Sequence, residues 1–266
     1  IAALSKRYGC TIPWYIMVSE SNRSETEQYF QQNAYFGLAA GSVHFVQQAM
    51  LPAVDQSGRF LLEHPHRIAT SPNGHGGSIK ALNDTGALEA MVERDIKAIY
   101  YFQVDNPLAK ICDPAFLGFH ALKGSELSTK VLRKTSWSEK VGVMCNWDGK
   151  PRIVEYIDLP DELARDTNED GSVKFWAGSL AIHVISVDFL KRLNDAGLEL
   201  PYHAARKKVA YVETDGQFKR EKVQPDYPNA IKLETFVFDA LQYAETGFTM
   251  ETSRAEEFSP IKNATG

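Results

Sequence analysis

Short apolar runs alternate along the first part of the chain with stretches of helical periodicity. Residues 14–18 form an apolar run that predicts a strand. A possible capping box at Ser24-Glu25-Thr26-Glu27 then predicts a helix through Gln32, and residues 43–46 predict the next strand. This alternation favours an α/β class in which parallel strands are joined by crossover helices.

The alternation continues and then changes character. Helical pattern extends over residues 79–94 with a break at 84–86, followed by a central strand at 97–104 and a helix at 114–122. Strands at 127–132, 141–147 and 152–157, with a hairpin turn at Asp148-Gly149, predict an antiparallel sheet extension. A strand at 180–185, a helix at 187–194 and a helical apolar stripe at 233–241 complete the pattern. We predict one mixed α/β domain over residues 1–266.

Composition narrows the class of protein. The 266 residues are 44% hydrophobic and 24% charged, as in an ordinary globular chain, and the net charge of -5 gives no basic surface for nucleic acid. No apolar run approaches the roughly 20 residues of a membrane span. Three widely spaced cysteines, Cys10, Cys112 and Cys145, argue against a disulfide framework and a zinc site. They fit a reducing compartment, so we expect a cytoplasmic protein. The chain starts at Ile1 and nears its first strand within a dozen residues, which is typical of an excerpt from a longer protein.

The sequence Ser-Pro-Asn-Gly-His-Gly-Gly at residues 71–77, here called the glycine loop, is the first candidate for chemistry. Gly74, Gly76 and Gly77 allow positive φ and leave no side chain between backbone N–H groups and a ligand. The pattern is neither a Walker motif nor Gly-x-Gly-x-x-Gly. The alternative is a turn in solvent.

Asp105 is the second candidate, because it follows the apolar run at 99–102. In an open α/β sheet, ligands bind beyond the carboxyl ends of strands, and a carboxylate there can hold Mg²⁺ between phosphate oxygens. The alternative is an Asx turn, in which Asp105 and Asn106 bond local backbone before Pro107.

Glu155 is the third candidate. Strand alternation would place it on one face with Ile153 and Ile157, where a carboxylate is costly unless it is paired or lines a polar pocket. In such a pocket it would accept hydrogen bonds from sugar hydroxyls. The alternative is an exposed edge strand.

Two lysines could present an ammonium group to phosphate. Lys262 follows a turn at 258–261, and Lys232 precedes the apolar stripe. A surface lysine is far commoner. No Gly-x-Ser-x-Gly pattern or histidine pair with metal-ligand spacing is present in the sequence.

Taken in order, these segments resemble the eukaryotic-type UDP-sugar pyrophosphorylases, and most closely the UDP-N-acetylglucosamine branch. The matching blocks are 12–17 (Ile-Pro-Trp-Tyr-Ile-Met), 45–52 (Phe-Val-Gln-Gln-Ala-Met-Leu-Pro), 72–77 (Pro-Asn-Gly-His-Gly-Gly), 104–106 (Val-Asp-Asn), 141–143 (Val-Gly-Val), 154–156 (Val-Glu-Tyr), 236–239 (Phe-Val-Phe-Asp) and 257–263 (Glu-Phe-Ser-Pro-Ile-Lys-Asn). They are collinear over nearly the whole chain.

The resemblance implies a Rossmann-like, glycosyltransferase-A-like nucleotidyltransferase domain that joins UTP to a sugar 1-phosphate and releases pyrophosphate. It implies roles for a set of residues: nucleotide binding by Gln47, Gln48, Pro72, Gly74 and His75, with Gln47 at the uracil edge; sugar binding by Gly142, Glu155, Ser179, Phe236 and Phe238; phosphate binding by Lys232 and Lys262; a catalytic role for Lys262; and Mg²⁺ binding by Asp105.

The chain also departs from the family pattern. The resemblance implies a glycine-rich loop containing Arg and Lys, which grips the triphosphate, and places it upstream of Ile1. Trp176 and Ser179 stand where the N-acetylglucosamine branch has Asn, and His75 is shared with the UDP-glucose and broad-specificity branches. We expect an N-acetylhexosamine 1-phosphate substrate. The alternatives are a UDP-glucose or broad-specificity pyrophosphorylase and an inactive nucleotide-sugar binding protein. A sugar-phosphate hydrolase is a weaker reading, since no nucleophile can be named.

Overall fold

The structure is a computed structural model that describes residues 1–214 and 220–261. Its α-helices are α1 (Ala2–Tyr8), α2 (Arg23–Gln32), α3 (Gly77–Asp84), α4 (Ala87–Glu93), α5 (Pro114–Leu122), α6 (Asp161–Ala164), α7 (Val187–Asp195) and α8 (Arg254–Glu257). Its strands are β1 (Trp14–Val18), β2 (Val43–Gln47), β3 (Met50–Pro52), β4 (Leu62–His64), β5 (Arg67–Ile68), β6 (Thr70–Pro72), β7 (Ala98–Tyr101), β8 (Leu127–Arg133), β9 (Val143–Trp147), β10 (Lys150–Val154), β11 (Ala177–Ser186), β12 (His203–Lys207), β13 (Tyr211–Thr214), β14 (Arg220–Val223), β15 (Ala230–Glu234) and β16 (Thr249–Glu251). Short 3₁₀ helices lie at Ala34–Gly37, Ala40–Ser42 and Val237–Tyr243.

Contacts divide the chain into two compact units, each built from two stretches of sequence. Unit 1 comprises Ile1–Ala87 and Glu199–Val237, and unit 2 comprises Leu88–Leu198 and Phe238–Gly266. The single domain expected from the sequence stays a prediction. Within the described residues, none of the helices has the length and apolar character that crossing a bilayer requires.

In unit 1, β1 and β2 are parallel, and α2 lies between them in the chain. Phe30 is the buried residue of α2, and its ring makes edge contacts with Trp14 of β1 and Phe45 of β2, at 5.5 and 5.4 Å between ring centroids. The predicted strand–helix–parallel strand arrangement is therefore confirmed here.

The predicted start of α2 is wrong by two positions. The helix begins at Arg23 after Asn22, so Ser24 lies inside its first turn rather than at the cap. The Asn22 side chain instead accepts the Ser19 N–H at 2.8 Å, which ties the helix start to the end of β1.

In the rest of unit 1, the glycine loop begins within β6 and leads into α3. β6 pairs antiparallel with β3, β15 pairs antiparallel with β12, and a bridge between Val54 and Ile231 joins the two pairs. The helix predicted at 233–241 is wrong, because Leu233 lies in β15 opposite Ala204 and only the 3₁₀ helix follows. The helical spacing of apolar residues at 233–241 spans the end of β15 and the 3₁₀ helix, and pairing of β15 with a distant strand overrides it.

Unit 2 contains a six-stranded mixed sheet in the order β10-β9-β11-β8-β16, with β7 also paired to β11. β8 and β16 are parallel, and the other pairs of this sheet are antiparallel. The expectation that the central strand would be parallel is wrong: β7 is antiparallel to β11, and it ends at Tyr101 rather than at residue 104. The β9–β10 hairpin is confirmed, with positive φ at both Asp148 and Gly149, as a type I′ turn requires.

Helices cover the sheet of unit 2. Phe116 of α5 is fully buried against the sheet residues Leu132, Leu180, Ile182 and Val184. The predicted α5 is confirmed at both ends, and the predicted β11 and α7 are confirmed with small extensions. The chain thus has the mixed α/β class that the sequence predicts.

Candidate functional site

The glycine loop is built against the segment that follows β15. The Gly76 N–H donates to the Thr235 carbonyl at 2.8 Å, and the Thr235 N–H donates to the Asn73 carbonyl at 2.8 Å. A Cβ atom on Gly74, whose φ is 83°, would lie 2.4 Å from the Thr235 carbonyl oxygen, and one on Gly76 would lie 2.7 Å from the Phe236 nitrogen. The loop is therefore a packed element.

This packing corrects both interpretations of the loop. A Cβ atom on Gly77 would lie 2.0 Å from Asn73 Oδ1, and the Gly77 N–H donates to the Gly74 carbonyl. Gly76 and Gly77 are buried, so a turn in solvent is wrong. The expectation that these glycines expose their N–H groups to a ligand is also wrong at positions 76 and 77, since both N–H groups bond within the protein.

His75 is held as a neutral ring. Burial is the main cause that lowers its pKa to about 4, and the charge of nearby His203 lowers it further. Its Nδ1 faces the Val237 N–H at 3.2 Å and must accept that hydrogen bond, so the ring proton lies on Nε2. The Phe236 ring stacks on His75 at 5.1 Å and contacts His203 at 4.4 Å between centroids.

Gln47 closes β2 opposite Val18, and its amide orientation is determined by Arg23. The Arg23 guanidinium donates to Gln47 Oε1 at 3.3 Å and also bonds Glu27 at 2.8 Å. Because arginine can only donate, the amide oxygen of Gln47 has to face it. The NH₂ group of Gln47 is then the end available to an acceptor such as a carbonyl oxygen.

Buried polar atoms lie close in sequence to Gln47 and the glycine loop. Gln48 Oε1, Ser71 Oγ and Asn73 Oδ1 are buried and form no hydrogen bond with any described residue. Pro72, which separates Ser71 from Asn73, is the last residue of β6 and lies opposite Met50 of β3. A buried polar atom without a hydrogen bond costs about 1–3 kcal/mol, so such atoms are candidates for contact with a ligand.

Lys232 lies in β15 opposite Ala205, and its side chain is half-buried. No acidic residue of the described ranges forms an ion pair with it. A half-buried ammonium group of this kind is suited to an anionic ligand.

Unit 2 brings together three of the residues predicted to contact the sugar. A Cβ atom on Gly142 would lie 3.1 Å from Glu155 Oε1, and the Ser179 N–H donates to the Gly142 carbonyl at 2.8 Å. Ser179 begins an irregularity in β11 that ends at His183, and its Oγ accepts the N–H of Ala181, a residue with a φ of 55°. Bulges of this kind often redirect a side chain next to a functional site.

Glu155 is not in a strand, which corrects the prediction. β10 ends one residue before it, and the Glu155 carbonyl accepts the N–H groups of Asp158 and Leu159 at 2.9 and 3.0 Å. Ile153 is 6% exposed and Ile157 is 61% exposed, so the predicted common face ends with β10. Glu155 thus opens a turn beside Gly142.

Asp105 lies in a turn four residues beyond the end of β7 and is half-buried. Its backbone carbonyl accepts the Ile261 N–H at 2.8 Å, while its carboxylate forms no hydrogen bond or ion pair with any described residue. Burial, with the Asp105 charge as a smaller cause, raises the pKa of Tyr101 to about 12. The Asx-turn alternative is wrong for Asn106, whose side chain bonds the backbone of residues 257 and 259 instead of local backbone.

The residues present fit a magnesium ion better than a metal with a full protein ligand set. Within residues 1–214 and 220–261, no group of three or more His, Cys, Asp or Glu side chains could hold a metal. Mg²⁺ usually takes one or two carboxylates and completes its shell with water and phosphate oxygens, so a single half-buried carboxylate is suited to it. Lys262 lies outside the described residues.

Phe238 and Phe236 differ in their surroundings. Phe238 is 4% exposed and belongs to the core. Phe236 is half-buried beside the two histidine rings already described. Their predicted contact with a sugar stays a prediction.

Sequence reasoning missed an ion-pair cluster in unit 2. Lys130 Nζ lies 2.7 Å from Asp113 Oδ2 and 2.7 and 2.8 Å from the two carboxylate oxygens of Glu257. The available signal was a lysine in the middle of the predicted strand at 127–132, since a lysine buried there requires an acidic partner. Nothing in the sequence names those partners.

Comparison with known proteins gives consistent matches. A family model described as UTP–glucose-1-phosphate uridylyltransferase matches residues 1–266. "UDP-N-acetylhexosamine pyrophosphorylase-like protein 1" of Xenopus tropicalis is 42% identical over 263 residues, covering 98% of this chain and 51% of the relative. UDP-N-acetylglucosamine pyrophosphorylase of Saccharomyces cerevisiae is 41% identical over 260 residues, covering 96% and 54%.

A solved structure is similar in fold. The crystal structure of the uridine diphosphate N-acetylglucosamine pyrophosphorylase from Trypanosoma brucei, in complex with an inhibitor, matches with a TM-score of 0.80 and 29% identity, covering 95% of this chain and 50% of that one. The chain spans about half the length of the curated relatives it matches. The resemblance inferred from the ordered motifs is confirmed.

Proposed function

This chain belongs to the UTP–glucose-1-phosphate uridylyltransferase family, and from that premise we propose that the full-length protein joins UTP to a sugar 1-phosphate and releases pyrophosphate. The observation that carries the proposal is the meeting of Gly142 and Glu155, at the open end of the β9–β10 hairpin, with Ser179 of β11.

The proposed nucleotide contacts have suitable chemistry. The NH₂ group of Gln47 would donate to a carbonyl oxygen of uracil, because Arg23 occupies the other end of the amide. Gln48 lies beside it, and its buried Oε1 would gain a hydrogen bond from the nucleotide. Pro72, Gly74 and the neutral His75 would pack against the base and ribose.

The proposed sugar is an N-acetylhexosamine. The carboxylate of Glu155 would accept hydrogen bonds from its hydroxyl groups, and the resemblance assigns Phe236 and Phe238 to the same ligand. Relatives at 42% and 41% identity carry N-acetylhexosamine and N-acetylglucosamine in their names, which supports this choice. A glucose or broad-specificity substrate is the alternative, because His75 is shared with those branches.

The reaction needs positioning and charge neutralisation more than covalent catalysis. An oxygen of the sugar phosphate attacks the α-phosphorus of UTP in line; a new P–O bond forms, the bond between the α- and β-phosphates breaks, and its electron pair leaves with pyrophosphate. Lys232 and Lys262 would balance the phosphate charges, and Asp105 would hold Mg²⁺, which when bound neutralises phosphate oxygens.

A nucleotide-sugar binding protein without catalysis is the second candidate. Trp176 favours it, since its ring lies under the Arg133 guanidinium at 4.4 Å where the resemblance implies an Asn. A cation–π pair at that position replaces a small polar side chain by a bulky stacked one.

Pyrophosphate release separates the two candidates. The full-length protein is given UTP and Mg²⁺ with N-acetylglucosamine, glucose or galactose 1-phosphate, and Asp105→Asn serves as the inactive control. Release with one sugar far above the others, lost in Asp105→Asn at an unchanged melting temperature, supports the enzyme and names its substrate. No release with any of them, from a folded protein that binds UDP-sugars in calorimetry, supports the binding protein instead.

A further inference from the structure

The ion-pair cluster of Asp113, Lys130 and Glu257 is almost closed to solvent. The side chains of Lys130 and Glu257 are 0% and 2% exposed. The carboxylate of Glu257 also accepts the Thr252 hydroxyl at 2.7 Å, so its charge is met by two donors. Buried ion pairs are stabilising only with such complete hydrogen bonding, and they fix geometry strictly.

Glu257 begins a stretch of chain that Asn106 also holds. We call residues 257–261 the anchored segment. Asn106 is 5% exposed; its Nδ2 donates to the Glu257 carbonyl at 2.7 Å, and its Oδ1 accepts the Ser259 N–H at 3.1 Å. The neighbouring Asp105 carbonyl accepts the Ile261 N–H at 2.8 Å.

These three bonds align the anchored segment with the turn that carries the Asp105 carboxylate. Only Glu257 of the segment lies in a helix, the four-residue α8, and residues 258–261 are in no helix or strand. Bonds from Asn106 and Asp105 therefore determine where the segment lies. The next residue in the sequence is Lys262.

We propose that Asn106 is a positioning residue that sets the anchored segment relative to Asp105, and that the catalytic effect of Lys262 depends on it. This rests on the proposed function, in which Asp105 and Lys262 act on the phosphates. The ion-pair cluster supports Asn106 by fixing the Glu257 end of the segment.

The chemistry of the amide explains why Asn is needed at position 106. One end must donate and the other must accept, and an amide is the small side chain that does both in a fixed plane. In Asn106→Asp one carboxylate oxygen would face the Glu257 carbonyl oxygen, which repels it. The anchored segment would move away to relieve this repulsion, which weakens the bonds from the Ser259 and Ile261 N–H groups as well.

Hydrogen exchange tests the anchoring independently of activity. In the full-length protein, Asn106→Asp is expected to speed exchange of the Ser259 and Ile261 amides by about fivefold to tenfold, the scale of one lost hydrogen bond. Asn146→Asp is the matched control, because Asn146 is exposed on β9 and the charge change is the same. Unchanged exchange at Ser259 and Ile261 in a folded Asn106→Asp protein overturns the proposal. If that variant does not fold, Asn106→Ser takes its place.

A double-mutant cycle with Lys262→Ala tests the positioning role. Asn106→Asp is expected to lower kcat more than tenfold with little change in KM, but to cost less than about threefold in the Lys262→Ala background, because the ammonium group on which its effect depends is then absent. Equal costs in both backgrounds overturn the proposal, since a general loss of stability acts equally in both. If the wild-type protein releases no pyrophosphate with any sugar 1-phosphate, the proposed function fails, and hydrogen exchange alone decides whether Asn106 anchors the segment.

Discussion

Glu155 Oε1 lies 3.1 Å from the point that a Cβ atom on Gly142 would occupy, so the absence of a side chain at Gly142 leaves room for the carboxylate. The same Cβ atom would lie 2.9 Å from Ile153 Cγ2. The missing side chain of Gly142 therefore leaves the space that the Glu155 carboxylate needs.

Gly142→Ala should therefore impair use of the sugar phosphate. The added methyl group must displace the Glu155 carboxylate or Ile153, and overpacking of this kind costs about 1–3 kcal/mol. We expect KM for the sugar 1-phosphate to rise roughly tenfold while KM for UTP stays within about twofold. Gly118→Ala on α5 is the control, since no atom lies within 4 Å of its added Cβ. Equal effects on both substrates in steady-state kinetics would contradict this assignment.

Lys130→Met should be strongly destabilising. It leaves the Glu257 carboxylate, which is 2% exposed, without its nearest cation, and breaking a buried pair in this way costs about 3–5 kcal/mol. Asp113, which is 16% exposed, loses the same partner. Urea denaturation at pH 7 measures the loss. Lys174→Met is the matched control: its ion pair with Asp166 has the similar length of 2.8 Å but is solvent-exposed, so the same substitution should have little effect on the free energy of unfolding. Similar losses for both variants would show that burial of the cluster is not what makes it stabilising.

Arg23→Met should weaken discrimination between UTP and CTP. Without the guanidinium, the Gln47 amide can rotate and offer its oxygen to the amino group of cytosine, as well as its NH₂ to uracil. We expect the ratio of kcat/KM for UTP over CTP to fall by about tenfold. This is the discrimination between two substrates that a single hydrogen bond provides. Glu27→Gln is the control, because it removes the Arg23–Glu27 ion pair and keeps Arg23. A ratio that changes equally in both variants would place the effect in α2 as a whole.

Stability should depend on pH through His75. Its folded pKa of about 4 is below the ordinary 6.5, so the unfolded chain binds more protons between these values and stability falls as the pH drops from 6.5 towards 4. The full contribution, about 3 kcal/mol, is present above pH 6.5. His75→Gln should flatten the dependence in that window, whereas replacing the exposed His66 with Gln should not. Urea denaturation at pH 4.5 and pH 7 gives the comparison, and a wild-type slope retained in His75→Gln would contradict this origin.

The sequence predicted elements whose signals are local, and it failed where distant pairing decides. Helix α5 was predicted to its end residues because Asp113 caps it and Pro114 opens it. The helix expected around Leu233 was wrong because this segment pairs with β12, and its own residues give no sign of that distant partner. The same limit hid the Asn106 and Glu257 contacts, which join residues far apart in the chain.

The candidate site was also predicted in part and missed in part. The resemblance implied a sugar-binding role for Gly142, for Glu155 and for Ser179, which stands where the N-acetylglucosamine branch has Asn, and the structure brings the three together. The expectation for Gly76 and Gly77 was wrong, because a glycine pattern signals close approach without naming what approaches. Here it is Thr235 and Phe236, which no local pattern connects to Gly74 and Gly76.

The placement of β16 has a consequence for synthesis of the protein. This strand pairs with β8, yet the whole of the second stretch of unit 1 is translated between them. Chains generally fold from the N-terminal end as they emerge from the ribosome, and an unpaired strand edge is prone to aggregation in the meantime. The buried β8, with Lys130 at its centre, must therefore wait for Glu257 to be translated, so this step is where we expect nascent chains to need a chaperone.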